Sequence, residues 1–339
     1  MTSPLKEFVI LQVQLFENAE FKNQTEITEF ILLGFGDQQV LQIPLFLLFL
    51  LIYAVTMAGN ILIILLVATD QYLHTPMYFF LGNLSCLETC CSSVILPRMI
   101  SSFLTGRKTI SVNSCFMQHF VFGSTGAVEC YLLSVMSYDR YLAICKPLHY
   151  VTKMNGKLCL QLVAISWFSG LLTSSLGMIS ISMLEFCVRN EIDHYFCDTF
   201  PIIELSCTDT HIVKLFLYVL CSIATFPPFT LTLSSYIFII LAILKIPSMT
   251  GKQKAFSTCS SHLLVVTMFY GTLISIYVIP NTNRLNGLHK FFSVFYTILT
   301  PMLNPIIYSL RNKEVKDALR RLTLFLFVQM QKKMRSRNG

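Results

Sequence analysis

Seven stretches of this chain are almost free of charge, and each is long enough to cross a bilayer. Gln38–Thr69, Leu158–Leu184, Leu215–Leu244, Ala255–Asn283 and Phe291–Leu310 contain no Asp, Glu, Lys or Arg. Gln71–Pro97 is interrupted by Glu88 alone, and Thr109–Tyr138 by Glu129 alone. A spanning helix needs roughly 20 such residues. In hydrocarbon the backbone must satisfy its own hydrogen bonds, so these runs predict helices rather than loops or open sheet. Charged residues make up 13% of the chain, against about a quarter in soluble domains. The deficit lies in the runs themselves. The predicted fold class is therefore an all-α membrane protein, a seven-transmembrane helix bundle, with helices near 41–68, 77–99, 112–140, 157–183, 212–244, 255–280 and 289–310.

Charge asymmetry orients the bundle. Sixteen of the 25 Lys and Arg fall on one side: Arg140, Lys146, Lys153, Lys157, Lys245, Lys252, Lys254 and those from Arg311 onward. The positive-inside rule makes that side cytoplasmic and puts the N-terminus outside. Arg98, Arg107 and Lys108 fall on the outer side, against this trend. The net charge of +7 thus reflects topology. No aromatic–basic groove suggests nucleic acid as a partner; membrane lipid is the expected one.

Residues 1–40 are expected to form an extracellular tail, 41–310 the seven-span domain, and 311–339 a cytoplasmic amphipathic helix and basic tail. Phe8–Phe16 is a short apolar stretch without a convincing cleavage site, and reads as part of the tail rather than a signal peptide. Asn23-Gln24-Thr25 is a glycosylation sequon on that tail. Pro227-Pro228, Pro301 and Pro305 sit inside spans five and seven and predict local breaks in their hydrogen bonding. After Pro305 the last span should end near Arg311. Asn312–Phe327 then has Val315, Leu319, Leu322 and Phe325 on one side and Lys316, Arg320 and Arg321 available to headgroups, a short eighth helix on the inner surface.

Four of the 12 cysteines lie on the outer side: Cys115 at the start of span three, and Cys187, Cys197 and Cys207 in the long loop 185–211. That setting is oxidising. Four cysteines allow three pairings, and spacing does not choose among them. The loop also holds His194 but lacks a close Cys-x-x-Cys pair, which argues against zinc.

Asp139-Arg140-Tyr141 lies at the cytoplasmic end of span three, inside MSYDRYLAICKPLHY (136–150). A charged pair there is costly unless it sits at an interface and has a role. With LHTPMYFFLGNLS (73–85), Ser235-Tyr236, KAFSTCSSHL (254–263) and PMLNPIIYSLRNKEVKDAL (301–319), it resembles the vertebrate olfactory receptors, the tetrapod-type branch of the rhodopsin-like G-protein-coupled receptors. TEFILLG (28–34) and HYFCD (194–198) match as well. The resemblance covers roughly residues 25 to 322. It implies disulfides Cys115–Cys197 and Cys187–Cys207. It also implies a small volatile odorant as ligand, and coupling to a stimulatory, olfactory-type heterotrimeric G protein that raises cyclic AMP. Residence in the cilia of olfactory sensory neurons and the absence of catalysis follow from the same likeness. A receptor of this type sensing a small metabolite in another tissue is the alternative. A transporter or channel would call for inverted repeats or a polar pore, and the chain has neither signature.

By the same resemblance, Asp139, Arg140 and Tyr141 form the coupling switch with Tyr236, Asn304, Pro305 and Tyr308. Many relatives place an acid at the inner end of span six as a second lock on the arginine. Here Gly251–Lys254 has none, so Asp139 is the expected resting partner of Arg140. Glu88 and Glu129 are the two acids expected deep in the bundle, facing each other between spans two and three. They suggest a shared sodium ion, helped by hydroxyls and by Asn60 or Asn304, with a proton-sharing pair as the alternative. No other cofactor is expected.

Counting back from Arg140 at spacings of three and four turns Phe122, Gly126, Ala127 and Cys130 inward in the outer half. Leu220, Cys221 and Ala224 of span five, Tyr270, Leu273 and Tyr277 of span six, and Thr297 of span seven complete the expected ligand pocket. No acid or base falls in this set, which suits a neutral, mostly apolar ligand.

Overall fold

The computed structural model describes residues 27–36, 39–187, 189–277 and 286–337. The expected sequon at Asn23 and the apolar stretch Phe8–Phe16 lie outside them. Eleven α-helices follow one another: α1 (Gln42–Thr69), α2 (Pro76–Thr105), α3 (Val112–Cys145), α4 (Pro147–Lys153), α5 (Gly156–Ser182), α6 (Thr199–Ile203), α7 (His211–Leu244), α8 (Met249–Tyr277), α9 (Asn286–Val294), α10 (Thr300–Arg311) and α11 (Lys313–Arg337). A π turn, Phe295–Leu299, joins α9 to α10, so the two form one spanning element. Seven helical segments are long and apolar enough to cross a membrane, and the bundle is the expected one.

Local signals set the helix ends. Pro76 and Pro147 open α2 and α4 at first-turn positions where no N–H is needed. Ser111 and Asn155 cap α3 and α5, their side chains accepting the N–H of Ser114 (3.3 Å) and Leu158 (2.9 Å). Gly106 ends α2 in the left-handed region, at φ 69°. Helix α3 is the central post: 72% of its spanning window is buried, against 22% for α1. Its neighbour α5 approaches closely at Gly170, where any Cβ would lie 2.8 Å from the Ser124 carbonyl.

Proline breaks are repaired by side chains. Pro305 has no N–H to give to the Pro301 carbonyl four residues earlier. Asn60 of α1 donates its Nδ2 to that carbonyl at 3.1 Å. Gly59, beside Asn60, allows the approach, since a Cβ there would meet the Pro305 ring at 3.0 Å. Helix α10 ends at Arg311, as expected.

The amphipathic segment is longer than expected, running to Arg337 as α11. Val315 is buried, and Leu319 and Leu322 pack partly buried against the bundle. Its start is tied to α2, where the Tyr78 hydroxyl donates to Glu314 Oε2 at 2.6 Å. Further along, Arg321 pairs with Asp70 at 2.7 Å and lies over the Tyr72 ring.

A three-stranded sheet that sequence patterning did not predict covers one end. Strand β1 (Glu29–Leu32) lies between β2 (Thr109–Ser111) and β3 (Glu191–Ile192). It is antiparallel to β2, with Phe30 opposite Ile110, and parallel to β3, with Ile31 opposite Glu191. Phe30 is fully buried and packs on Phe116 and Phe186 at 6.5 and 5.7 Å. Disulfides Cys115–Cys197 and Cys187–Cys207 hold the long loop beneath the sheet. They are the pairs that the resemblance implied. This cap should depend on its one large buried ring. Phe30→Ala should cost about 3–5 kcal/mol locally, lowering the melting temperature of the purified protein and its surface yield. An unchanged melting temperature would show that the cap does not contribute to stability.

Candidate functional site

A cavity of about 100 Å³ lies in the disulfide-bearing half of the bundle, among α3, α5, α7, α8 and the π turn. From the predicted set, Phe122, Gly126, Ala127 and Cys130 line it from α3. Leu220, Cys221 and Ala224 do so from α7, and Leu273 and Tyr277 from α8. The three- and four-residue spacing along α3 thus identified its inward face.

Two predicted residues do not line it. Tyr270 is fully buried, but its hydroxyl donates to the Cys130 carbonyl at 2.8 Å and its ring packs on Phe229 and Phe269. Thr297 faces the long loop and shares a 2.8 Å hydrogen bond with the Tyr195 hydroxyl. Its neighbour Tyr296 supplies the wall instead. The π turn explains the change: one extra residue in a turn rotates everything beyond it by about 100°. A Cβ on Gly126 would come within 2.5 Å of the Tyr296 hydroxyl, so this glycine makes room for that ring.

Sequence reasoning missed other parts of the wall. Thr173, Ser174 and Gly177 of α5 contribute small surfaces. Their run of small residues was the available signal, but it carries no clear period. His119 also lines the cavity, correcting the expectation that no base does, and its Nε2 meets the Thr199 hydroxyl at 3.0 Å. Its Nδ1 is buried with no hydrogen-bond partner. The Tyr277 hydroxyl donates to buried Asp198 at 2.8 Å, so an acid stands directly behind the wall. The cavity surface remains mostly apolar, with histidine, threonine and tyrosine groups at its rim.

At the opposite end of α3, Arg140 Nη2 lies 3.2 Å from Asp139 Oδ2. Asp139 is fully buried, and Tyr150 of α4 donates its hydroxyl to Oδ1 at 2.8 Å. Burial, reinforced by the neighbouring carboxylate, pushes the Tyr150 phenol above its usual range. It therefore stays protonated as the donor. Asp139 is the arginine's partner, as expected, but the hold is a three-residue arrangement. Tyr141 packs beside it, its ring 5.8 Å from that of Phe238. The Tyr236 hydroxyl is engaged by His262 Nδ1 at 2.6 Å, which joins α7 to α8. The Tyr308 hydroxyl is buried without a hydrogen-bond partner among the described residues.

Between the two ends, Asn304 donates to Glu88 Oε1, with Pro305 next in the chain. Glu88 and Glu129 are both buried and near enough to act on each other electrostatically. Glu129 Oε1, Asn60 Oδ1 and Ser92 Oγ are buried oxygens without hydrogen-bond partners among the described residues. Hard oxygen ligands of this kind suit a small cation.

A cavity in one half of a seven-helix membrane bundle and an arginine paired with aspartate at the far end of its central helix fit the architecture of a G-protein-coupled receptor. Comparison with known proteins gives the family. The sequence model of the olfactory receptor family matches residues 49–325. Human olfactory receptor 11L1 is 46% identical over 89% of this chain and 94% of its own length. Mouse olfactory receptor 8U9 is 48% identical over 88% and 96%, and human olfactory receptor 8H3 48% identical over 89% and 96%. The chain belongs to the olfactory receptor family. It is a multi-pass membrane protein of a receptor class that is not enzymatic.

The clamp on Arg140 generates an ordered prediction. Asp139→Asn removes the ion pair but keeps a side chain that can accept from Tyr150, whereas Tyr150→Phe removes one hydrogen bond. Ligand-independent signalling in cells should rise in both, several-fold more in Asp139→Asn. Equal or reversed effects at matched surface levels would show that Tyr150 is the main restraint.

Proposed function

We propose that this protein is an odorant receptor of the plasma membrane with its disulfide end outside and Arg140 facing the cytoplasm. Its agonist is a small, neutral, mostly apolar odorant held in the cavity around Gly126. Agonist binding favours a conformation in which Arg140 leaves Asp139 and engages a stimulatory, olfactory-type G protein, raising cyclic AMP. The observation that carries this reading is that α3 links both sites: it supplies Phe122, Gly126 and Cys130 to the cavity and Asp139 and Arg140 to the far end. A ligand shifts such an equilibrium by binding one conformation better than the other. The basic side chains concentrated at the Arg140 end support the orientation. Ciliary residence fits the same role.

The apolar wall favours a ligand gripped by shape, and His119 and Thr199 offer a hydroxyl or carbonyl one polar contact. An odorant panel measured by cyclic AMP tests this. Gly126→Leu fills the cavity and crowds Tyr296, and should raise the half-maximal odorant concentration by roughly tenfold or more, the equivalent of a lost buried contact. Arg140→Ala should abolish the cyclic AMP response at intact surface expression. Unchanged responses in Gly126→Leu would remove the cavity from the proposal. Tyr277→Phe is a less specific probe, because it also breaks the bond to Asp198.

A sodium ion held by Glu88 and Glu129 is part of the proposal. Asn60, Ser92 and the free Glu129 oxygen would complete the donor set. The ion would supply fixed positive charge between two carboxylates and favour the resting bundle. Basal signalling should then fall as sodium is raised, and Glu129→Gln should remove that dependence. Persistence of the dependence in Glu129→Gln would sink the assignment.

A further inference from the structure

Arg98, Arg107 and Lys108 run against the charge asymmetry of the chain, and the fold brings them together. They border a second cavity, of about 300 Å³, formed by residues 32–36, the start of α1, the end of α2 and Tyr195. The rest of its wall is mostly aliphatic and aromatic. Phe35 stacks on Phe49 at 5.9 Å and on Tyr195 at 5.1 Å, and Phe49 stacks on Phe103 at 5.7 Å. One guanidinium nitrogen of Arg98 donates to the Thr109 carbonyl. A guanidinium carries five donors, so most of its hydrogen-bonding capacity is left for a ligand. Glu29 acts on Arg98 electrostatically from β1, a partial counter-charge for that guanidinium. Lys290 closes the nearby end of residues 32–36, donating to the Gly34 carbonyl at 2.9 Å and pairing with Asp193 at 2.7 Å.

An apolar aromatic chamber with a cationic border does not match a neutral ligand. It matches a single-chain amphiphile with an anionic head. A phospholipid, with two chains and a large headgroup, would leave most of its body outside 300 Å³. We propose that this cavity is a second ligand site, distinct from the odorant cavity, that takes a fatty carboxylate. Its chain lies along Phe35, Phe49 and Phe103, and its carboxylate meets Arg98 and Arg107, with Lys108 adding positive charge beside them. Bidentate contact with a guanidinium is the strong form of that recognition. Consecutive residues of the long loop link the two sites: the Tyr195 ring lines this cavity, and Phe196 packs on Phe122 of the odorant cavity at 4.7 Å.

Binding of radiolabelled dodecanoate to the full chain, purified into nanodiscs of zwitterionic lipid, tests the proposal, with dodecanol as the uncharged control. Dodecanoate should bind saturably. Arg98→Gln/Arg107→Gln/Lys108→Gln should weaken it roughly tenfold or more, the loss of at least one charge-assisted bond, and leave dodecanol unchanged. Gly126→Leu should leave dodecanoate binding intact. Binding that survives the triple variant overturns the proposal. So does binding lost in Gly126→Leu, which would place dodecanoate in the odorant cavity. Should the triple variant fail to fold, Arg107→Gln decides alone: Arg107 is exposed, and an unchanged affinity overturns the proposal. Absence of saturable dodecanoate binding, with Arg107-dependent stabilisation by added phosphatidylglycerol, would identify a lipid headgroup and equally overturn it.

Discussion

In hydrocarbon a carbonyl without a partner has no water to turn to, and the whole bundle is arranged around that constraint. Where α10 loses a hydrogen bond at Pro305, Asn60 reaches across from α1 to replace it. Gly59 lets the two helices come close enough for the reach. The same asparagine leaves its own oxygen free beside Glu88 and Asn304. The repair of a backbone break and the polar centre of the receptor are thus one arrangement. A conformational change that moves α10 must also disturb this centre, giving Glu88 and Asn304 a physical route to influence signalling.

Helix α3 carries that influence lengthwise. It is the most buried of the spans, and it touches the cavity around Gly126, the carboxylate pair and the Asp139–Arg140 clamp in turn. The clamp is local, since Asp139 precedes Arg140 and Tyr150 lies on the adjoining α4. With no acid in Gly251–Lys254, no carboxylate there pins α8 to α3. Helices α7 and α8 instead meet through the neutral Tyr236–His262 bond. A lock built from one ion pair and neutral hydrogen bonds is expected to be shallower than one with two ion pairs, which favours a measurable basal activity.

Hydropathy made the seven spans legible because each is long and the bilayer punishes charge within it. The α3 face was legible because Arg140 fixes the phase and spacing does the rest. Thr297 was misplaced by the π turn, which inserts a residue into the phase without any sequence punctuation. His119 was missed as a wall residue because its partner Thr199 lies on a loop helix far along the chain. The α5 wall gave no signal, since Thr173, Ser174 and Gly177 line a cavity by being small. Strand β1 was the largest omission: four residues of alternating burial have no meaning until their partners are known.

The position of β1 has a consequence for biogenesis. It is the middle strand of its sheet, yet it is synthesised before both neighbours. Until β2 and then β3 emerge, it has two unpaired edges and a phenylalanine with nowhere to go. Unpaired edges and exposed apolar surface are the features that make folding intermediates aggregate. The Cys115–Cys197 bond, which closes a separation of 82 residues, helps bring together the regions that carry those partners. Folding of this receptor should therefore be paced by completion of its cap, making chaperone supply and oxidant availability the variables that set how much folded protein forms.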